Sequence, residues 1–297
     1  MLALNEIIHS LTDAVLTGEY GLDDALAALE TWLDTHAASL TQIERQQFSA
    51  SLDEQGSNDD RSLITSVLKL HATRLLYRHD RRTSPPVSEP EEAQNSYVRA
   101  RSAFTQALSV SEDAINEARI DIAVANAHHL LANASANRDW LDSALERLPD
   151  LAAIDLIKLA EGIPAMPLPR MGPLKRLGLK LMGFNFDRLA QQNVESLTAI
   201  ARMQVNQIIL LSHLLGTSYH TIREKQRATR AFRIAAHLIV RYGGMTNMPP
   251  DQLLEIAESL QRTEAEAAAV LAQQAYDVYR TVDNEAGLSR AAALLAG

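Results

Sequence analysis

Histidine and arginine are the residue types of this sequence whose spacing could support binding or metal chemistry. Among the nine histidines, His213 and His220 are seven residues apart, so a continuous helix would place both on one side. A metal ion held there would lack an obvious carboxylate ligand. His128 and His129 are adjacent and therefore point to different sides of a helix. We predict no metal site and no cofactor, and expect these histidines to be hydrogen-bonded or to line a groove.

Local catalytic motifs are absent from the sequence. There is no glycine-rich phosphate-binding motif, no Gly-x-Ser-x-Gly and no His-Glu-x-x-His. The chain has no cysteine, which excludes disulfides, thiol nucleophiles and thiolate metal sites. We therefore predict that the protein is not an enzyme. A helical enzyme whose acid–base pair is assembled from distant parts of the chain remains an alternative.

A row of arginines follows Gly216. On a helical wheel of about 100° per residue, four of them lie within about 80° of each other. Such a face could bind phosphates, an acidic peptide or a C-terminal carboxylate, because each guanidinium presents forked donors. The alternative is a solvated face, or one that is salt-bridged to acidic flanks such as Glu255 and Glu258. The row consists of Arg223, Arg227, Arg230 and Arg241.

A second basic element lies between Met171 and Phe186. Pro173 opens a predicted short helix with leucines on one face and basic residues on the other. The leucines are expected to face the protein's own core, and contact with an anionic membrane surface is the weaker alternative. The basic residues Lys175, Arg176 and Lys180 are candidates for partner binding.

The charge of the chain is unevenly distributed. The net charge is -9, yet residues 162–250 contain 12 Lys and Arg against 3 Asp and Glu. The segments on both sides of this basic middle are acidic. Either the basic middle binds an anionic partner, or the acidic flanks fold against it and neutralise it.

Helix is the predicted state of nearly the whole chain. Alanine and leucine, which favour helices, dominate the sequence, glycine is scarce, and no strand pattern is convincing. No signal peptide is evident, and the longest near-continuous apolar run, Ile208 to Leu215, is far shorter than the ~20 residues that span a bilayer. The sequence therefore predicts an all-α, cytoplasmic protein.

The prolines between residues 83 and 92 mark the clearest linker. We predict an N-terminal helical part over residues 1–82, a Pro-rich linker or loop over 83–92, and a second helical domain over 93–297. Helices are predicted over 93–108, 111–134, 137–148 and 151–160, and Pro149 is expected to end the third of these. Within Arg188 to Tyr242 two long helices are predicted to meet at Leu215-Gly216-Thr217-Ser218.

The long helix pair resembles the tetratricopeptide repeat, a unit of two helices with small residues where they cross and large ones beside them. The resemblance rests on the pattern Leu215-Gly216-x2-Tyr219-x8-Ala228-x3-Phe232-x2-Ala235. Fainter matches involve Ala257, Leu260, Ala268, Ala272 and Ala275. The resemblance implies stacked antiparallel helix pairs in a superhelical array from residue 93 onwards.

This resemblance also implies a function. Proteins of the family are scaffolds whose concave surface binds a peptide or helix of another protein. On that basis His213, Thr217 and His220 are expected to line the groove, and Arg223, Arg227 and Arg230 to complement an acidic ligand. A nucleic-acid-binding array that uses the basic middle is the alternative, although that segment lacks interleaved aromatic residues. The sequence makes no prediction of oligomeric state.

Overall fold

Helices account for all of the regular secondary structure in the part of the chain that can be described. The computed structural model describes residues 4–41, 44, 48, 59–83, 96–135, 138–164, 186–243 and 248–296, and the side chains at 81–83, 96–98, 134–135 and 186–193 are not described. The prediction of an all-α chain is confirmed. The helices are α1 (Leu4–Leu16), α2 (Leu22–His36), α3 (Asp60–Thr83), α4 (Ser96–Ser135), α5 (Arg138–Ala153), α6 (Leu156–Glu161), α7 (Phe186–Thr221), α8 (Lys225–Tyr242), α9 (Pro250–Leu260), α10 (Ala265–Thr281) and α11 (Glu285–Ala296).

The chain divides into two compact units. The first contains Met1–Ala93 and Asn133–Ala136, and the second contains Gln94–Ala132 and Asn137–Gly297. Most of the predicted linker at 83–92 and nearly all of the segment from Met171 to Phe186, with its predicted short helix, lie outside the described residues. No helix in the described ranges is long and apolar enough to cross a membrane.

In the first unit, α1, α2 and α3 pack against one another. Ile8, Leu29 and Ile64 are completely buried between them. The hydroxyl of Thr12 donates to the carbonyl of Ile8 and lies 3.1 Å from the hydroxyl of Thr65, which links α1 to α3. Within the described residues, these three helices form the core of the first unit.

In the second unit, consecutive helices stack side by side. Each helix from α7 to α10 packs against the next one, and contacts also join α5 to α7, α8 to α10 and α9 to α11. One continuous apolar core runs through these helices, from Phe104 on α4 to Ala291 on α11. Every helix after α6 therefore packs against at least two other helices of this unit.

The turn of the long helix pair does not lie where the sequence predicted it. Helix α7 continues through Gly216 to Thr221, and the turn is formed by Ile222, Arg223 and Glu224. The prediction that the helices meet at residues 215–218 is therefore wrong. Gly216 does not break the helix, because its lack of a side chain is used instead for a close approach to α8.

Three further helix boundaries also differ from the prediction. Pro149 lies inside α5, which continues to Ala153. The proline removes only one hydrogen bond near the helix end, and Leu148 and Leu151 on either side of it remain buried. Helix α4 is one continuous helix, because no glycine or proline interrupts it near Ser109. Conversely, the helix predicted over 151–160 is broken before Asp155, whose carboxylate caps α6 by accepting from the Lys158 amide at 3.0 Å.

Candidate functional site

The α7–α8 hairpin is packed around one glycine and two aromatic rings. A Cβ atom added at Gly216 would lie 2.5 Å from Cε1 of Phe232 on α8. Phe232 and Tyr219 are among the largest fully buried side chains, and Ala228 and Ala235 are also buried. The missing Cβ lets the backbone of α7 approach the Phe232 ring, so the two helices are held in a fixed register.

The α10–α11 hairpin shares the tyrosine and the turn of the α7–α8 hairpin, but its glycine lies on the second helix and faces the tyrosine itself. A Cβ atom at Gly287 would lie 2.4 Å from the ring of Tyr279. The amide of Asn284 donates to the Tyr279 carbonyl at 3.0 Å, as the amide of Glu224 donates to the Tyr219 carbonyl at 2.9 Å. The two turns thus share the same hydrogen bond from the residue five positions after the tyrosine.

A residue in the left-handed conformation precedes each of these amides. Arg223 has a φ of 64° and Asp283 a φ of 54°; they are the only non-glycine residues with positive φ in the described ranges. This conformation costs an ordinary residue about 1 kcal/mol, whereas glycine adopts it freely. Both turns therefore carry backbone strain that a glycine would relieve.

We expect Arg223→Gly to raise the free energy of unfolding by about 0.5 kcal/mol. Relief of the left-handed strain outweighs the greater entropy that glycine gives the unfolded chain. Chemical denaturation followed by circular dichroism measures the change, with Asp283→Gly as the matched substitution in the second turn. A loss of stability in both variants would contradict the strain argument.

Polar side-chain contacts join helices of the second unit that are separated by one helix in the order of the chain. The Tyr219 hydroxyl on α7 donates to Oδ1 of Asp142 on α5 at 2.6 Å. His213 Nε2 on α7 lies 2.8 Å from Oε2 of Glu255 on α9, and Thr217 donates to Oε1 of the same carboxylate at 3.1 Å. We call the contacts of this kind the next-but-one ties.

The same spacing continues to both ends of the array. Arg241 on α8 donates to Asp155 at the head of α6 at 2.6 Å. Glu264, which precedes the first residue of α10, pairs with Arg233 and with His237 on α8. The last tie joins Arg290 on α11 to Glu258 on α9 through two hydrogen bonds of 2.6 and 2.8 Å. In most ties a base from residues 162–250 meets an acid from the flanking segments.

Asp155 is the most heavily bonded of these carboxylates. Burial by itself raises its pKa, but the amide of Lys158 and the hydroxyl of Tyr242 both donate to it. Together with the charge of Arg241 they hold the pKa of Asp155 below its usual range. Burial and the same hydrogen bond raise the pKa of Tyr242 to about 12. The carboxylate therefore stays ionised and the phenol stays protonated at neutral pH.

Removal of a partly buried tie should cost more than removal of an exposed one. We expect Glu255→Ala to destabilise the second unit by about 2 kcal/mol, because it leaves the ring of His213, only 5 % exposed, without its partner. Glu258→Ala, on the same helix, removes an exposed ion pair and should cost about 0.5 kcal/mol. Urea denaturation of both variants measures the difference in the free energy of unfolding. Equal losses of stability would show that the burial of His213 adds nothing to the cost.

The predicted binding residues fall into three groups in the structure. His213 is buried and, with Thr217, is bonded to Glu255. Arg227 and Arg241 are ion-paired to acidic residues of other helices. The remaining three, His220, Arg223 and Arg230, are exposed. Lys175, Arg176 and Lys180 lie outside the described residues.

Two of the exposed arginines belong to a group that we call the arginine corner. Arg138 from α5 and Arg227 from α8 pair with the carboxylates of Asp142 and Glu224. Arg223 directly precedes Glu224 in the turn, and Arg230 lies one helical turn after Arg227 on α8. Arg227 lies 3.1 Å from Asp142 and 3.7 Å from Glu224, and Arg138 lies 2.9 Å from Glu224. Burial and the bond to Asp142 raise the pKa of Tyr219, which therefore remains a neutral donor.

A groove of about 660 Å³ lies between α4 and the start of α6. Small and apolar residues of α4, among them Ala103, Ala107 and Val110, form one wall, and Asp155 and Lys158 lie on the other. The groove accordingly presents an apolar surface with two charged groups at its edge.

Among the described residues, no group of three or more His, Asp or Glu side chains could hold a metal ion.

Comparison of the chain with protein-family models, with curated proteins and with solved structures gives no match.

Sequence reasoning missed most of the acidic half of the candidate site. Asp142, Glu224 and Arg138 were not singled out. Glu255 was named as a salt-bridge partner for the arginine row, whereas the structure bonds it to His213 and Thr217. Asp142 lies 85 positions before Arg227, so no local pattern connects them. The only sequence signal was the opposite charge of the basic middle and its flanks.

Proposed function

We propose that the protein is a non-enzymatic helical-repeat scaffold that binds a peptide or protein partner. The observation that carries the proposal is the hairpin turn that occurs twice in the second unit, in which a tyrosine precedes a left-handed residue and its carbonyl accepts from the amide five positions later. Stacked hairpins of this kind present long helix faces to a partner rather than an enclosed site. The resemblance to tetratricopeptide repeats and the cytoplasmic location expected from the sequence belong to the same proposal.

Ion pairs within the second unit support this proposal by engaging part of the basic middle. Arg227, Arg233 and Arg241, three of its 12 basic residues, neutralise acidic residues of the chain itself. A nucleic-acid-binding array would need many cations free for phosphates. The pairing of these three arginines therefore favours a protein partner, for which a few free cations and an apolar surface suffice.

Selection from a displayed peptide library on the immobilised full-length chain tests the proposal. We expect a shared peptide pattern to be enriched and the corresponding synthetic peptide to bind in a saturable one-to-one titration. Failure to enrich any pattern, together with retention on heparin and a steep loss of binding to single-stranded DNA with salt, would favour the nucleic-acid alternative.

A further inference from the structure

The arginine corner contains more positive than negative charge. It has four arginines and two carboxylates, and Arg138 and Arg227 are the arginines that pair with Asp142 and Glu224. Arg223 and Arg230 are exposed and form no ion pair within the described part of the chain. The corner therefore retains two guanidinium groups that could meet a further anion.

Glu224 shows what kind of anion this corner accepts. Its carboxylate receives Arg138 from α5 at 2.9 Å and Arg227 from α8 at 3.7 Å, so guanidinium groups from two helices converge on one carboxylate. The Glu224 side chain is 36 % exposed and forms no capping hydrogen bond with α8. A carboxylate of another molecule could thus approach the same guanidinium groups without disrupting α8.

We propose that the arginine corner binds an acidic segment of a protein partner through its carboxylates, and that Glu224 is an internal competitor for that segment. This inference rests on the proposed scaffold function and names the chemistry of the ligand. Arg223 and Arg230 supply charge that the chain itself does not compensate, and Arg138 and Arg227 supply forked donors.

The corner fits an acidic peptide better than a nucleic acid. Asp142 and Glu224 lie between the arginines and would repel a continuous row of phosphates. The ring of Tyr219 is completely buried and offers no surface for base stacking. A peptide can place single carboxylates at the arginines and avoid the two acidic side chains.

Titration of the full-length chain with a fluorescent peptide of eight alternating Asp and Glu residues, at low salt, tests the proposal. We expect Arg230→Gln to weaken binding about five-fold and Glu224→Gln to strengthen it about three-fold, because one removes an attractive charge and the other a competing one. Arg280→Gln, which removes an exposed arginine of α10, is the control and should leave binding unchanged. Circular dichroism verifies that every variant is folded.

Opposite effects of the two corner variants support the proposal. It is overturned if neither variant changes the affinity, or if Arg280→Gln weakens binding as much as Arg230→Gln. It is also overturned if oligothymidine of equal charge binds more tightly than the peptide and its affinity changes in the same direction in each variant. A library-selected peptide that still binds Arg230→Gln normally would leave the scaffold function intact while removing the corner as its site.

Discussion

Gly216→Ala is expected to lower the free energy of unfolding of the second unit by about 2 kcal/mol. In an open helix the same substitution stabilises by about 1 kcal/mol, because alanine is the better helix former. Here the new methyl group would lie 2.5 Å from Cε1 of Phe232, whose ring is 1 % exposed and has no free space to move into. Overpacking of this kind costs up to about 3 kcal/mol, so the steric cost exceeds the gain in helix propensity.

A double-mutant cycle with Phe232→Leu isolates the steric contact. Leucine lacks the ring edge that the new methyl group meets, so Gly216→Ala should cost little in the Phe232→Leu background. Urea denaturation of the four proteins, followed by circular dichroism, gives the coupling energy. An additive cycle, or stabilisation by Gly216→Ala alone, would contradict the close approach of α7 to the Phe232 ring.

Acid should destabilise both units because each contains a histidine that is buried in the neutral form. Burial lowers the pKa of His128 to about 4, and burial together with the charges of Arg74 and Arg78 lowers the pKa of His71 to about 4. Both values lie below the 6.5 of an unfolded histidine, so the unfolded chain takes up the proton first. Stability is complete above pH 6.5 and falls by about 1.4 kcal/mol per pH unit and per histidine down to about pH 4.

The expected total loss from His128 alone is about 3 kcal/mol at pH 4. The ring centre of Trp140 lies 5.2 Å from that of His128. Trp140 is the probe for unfolding of the second unit once Trp32, the other tryptophan, is replaced by phenylalanine. We expect His128→Leu to flatten the decline of the urea midpoint between pH 6.5 and 4.5 in this background. His129, whose pKa burial also lowers, leaves a residual slope. An unchanged slope would show that His128 is not the group that takes up the proton.

The helical class and much of the hairpin core could be predicted from the sequence because they depend on local patterns. Apolar periodicity identified most helices, and the spacing of Tyr219, Ala228, Phe232 and Ala235 identified side chains that are indeed buried. The helical state and the buried face of a helix depend on residues that are close together along that helix.

The position of the turn and the polar ties could not be predicted in the same way. Glycine has two uses, freedom of φ and close approach. The repeat pattern assigned Gly216 to a close helix crossing, which the structure shows at Phe232, while the turn was also predicted at residues 215–218. The turn instead uses Arg223, a residue type that rarely adopts positive φ. The ties join residues as far apart as Asp155 and Arg241, so they depend on how the helices stack and not on local spacing.

The next-but-one ties also determine how the second unit should come apart. In an array with contacts only between neighbours, the end helix can fray without disturbing the rest. Here the detachment of α11 breaks the contact of Gly287 with α10 and also the pair of Arg290 with Glu258 on α9. Each helix thus shares its unfolding free energy with two others. This lengthens the range of cooperativity along the array and favours opening in blocks of three helices over stepwise fraying.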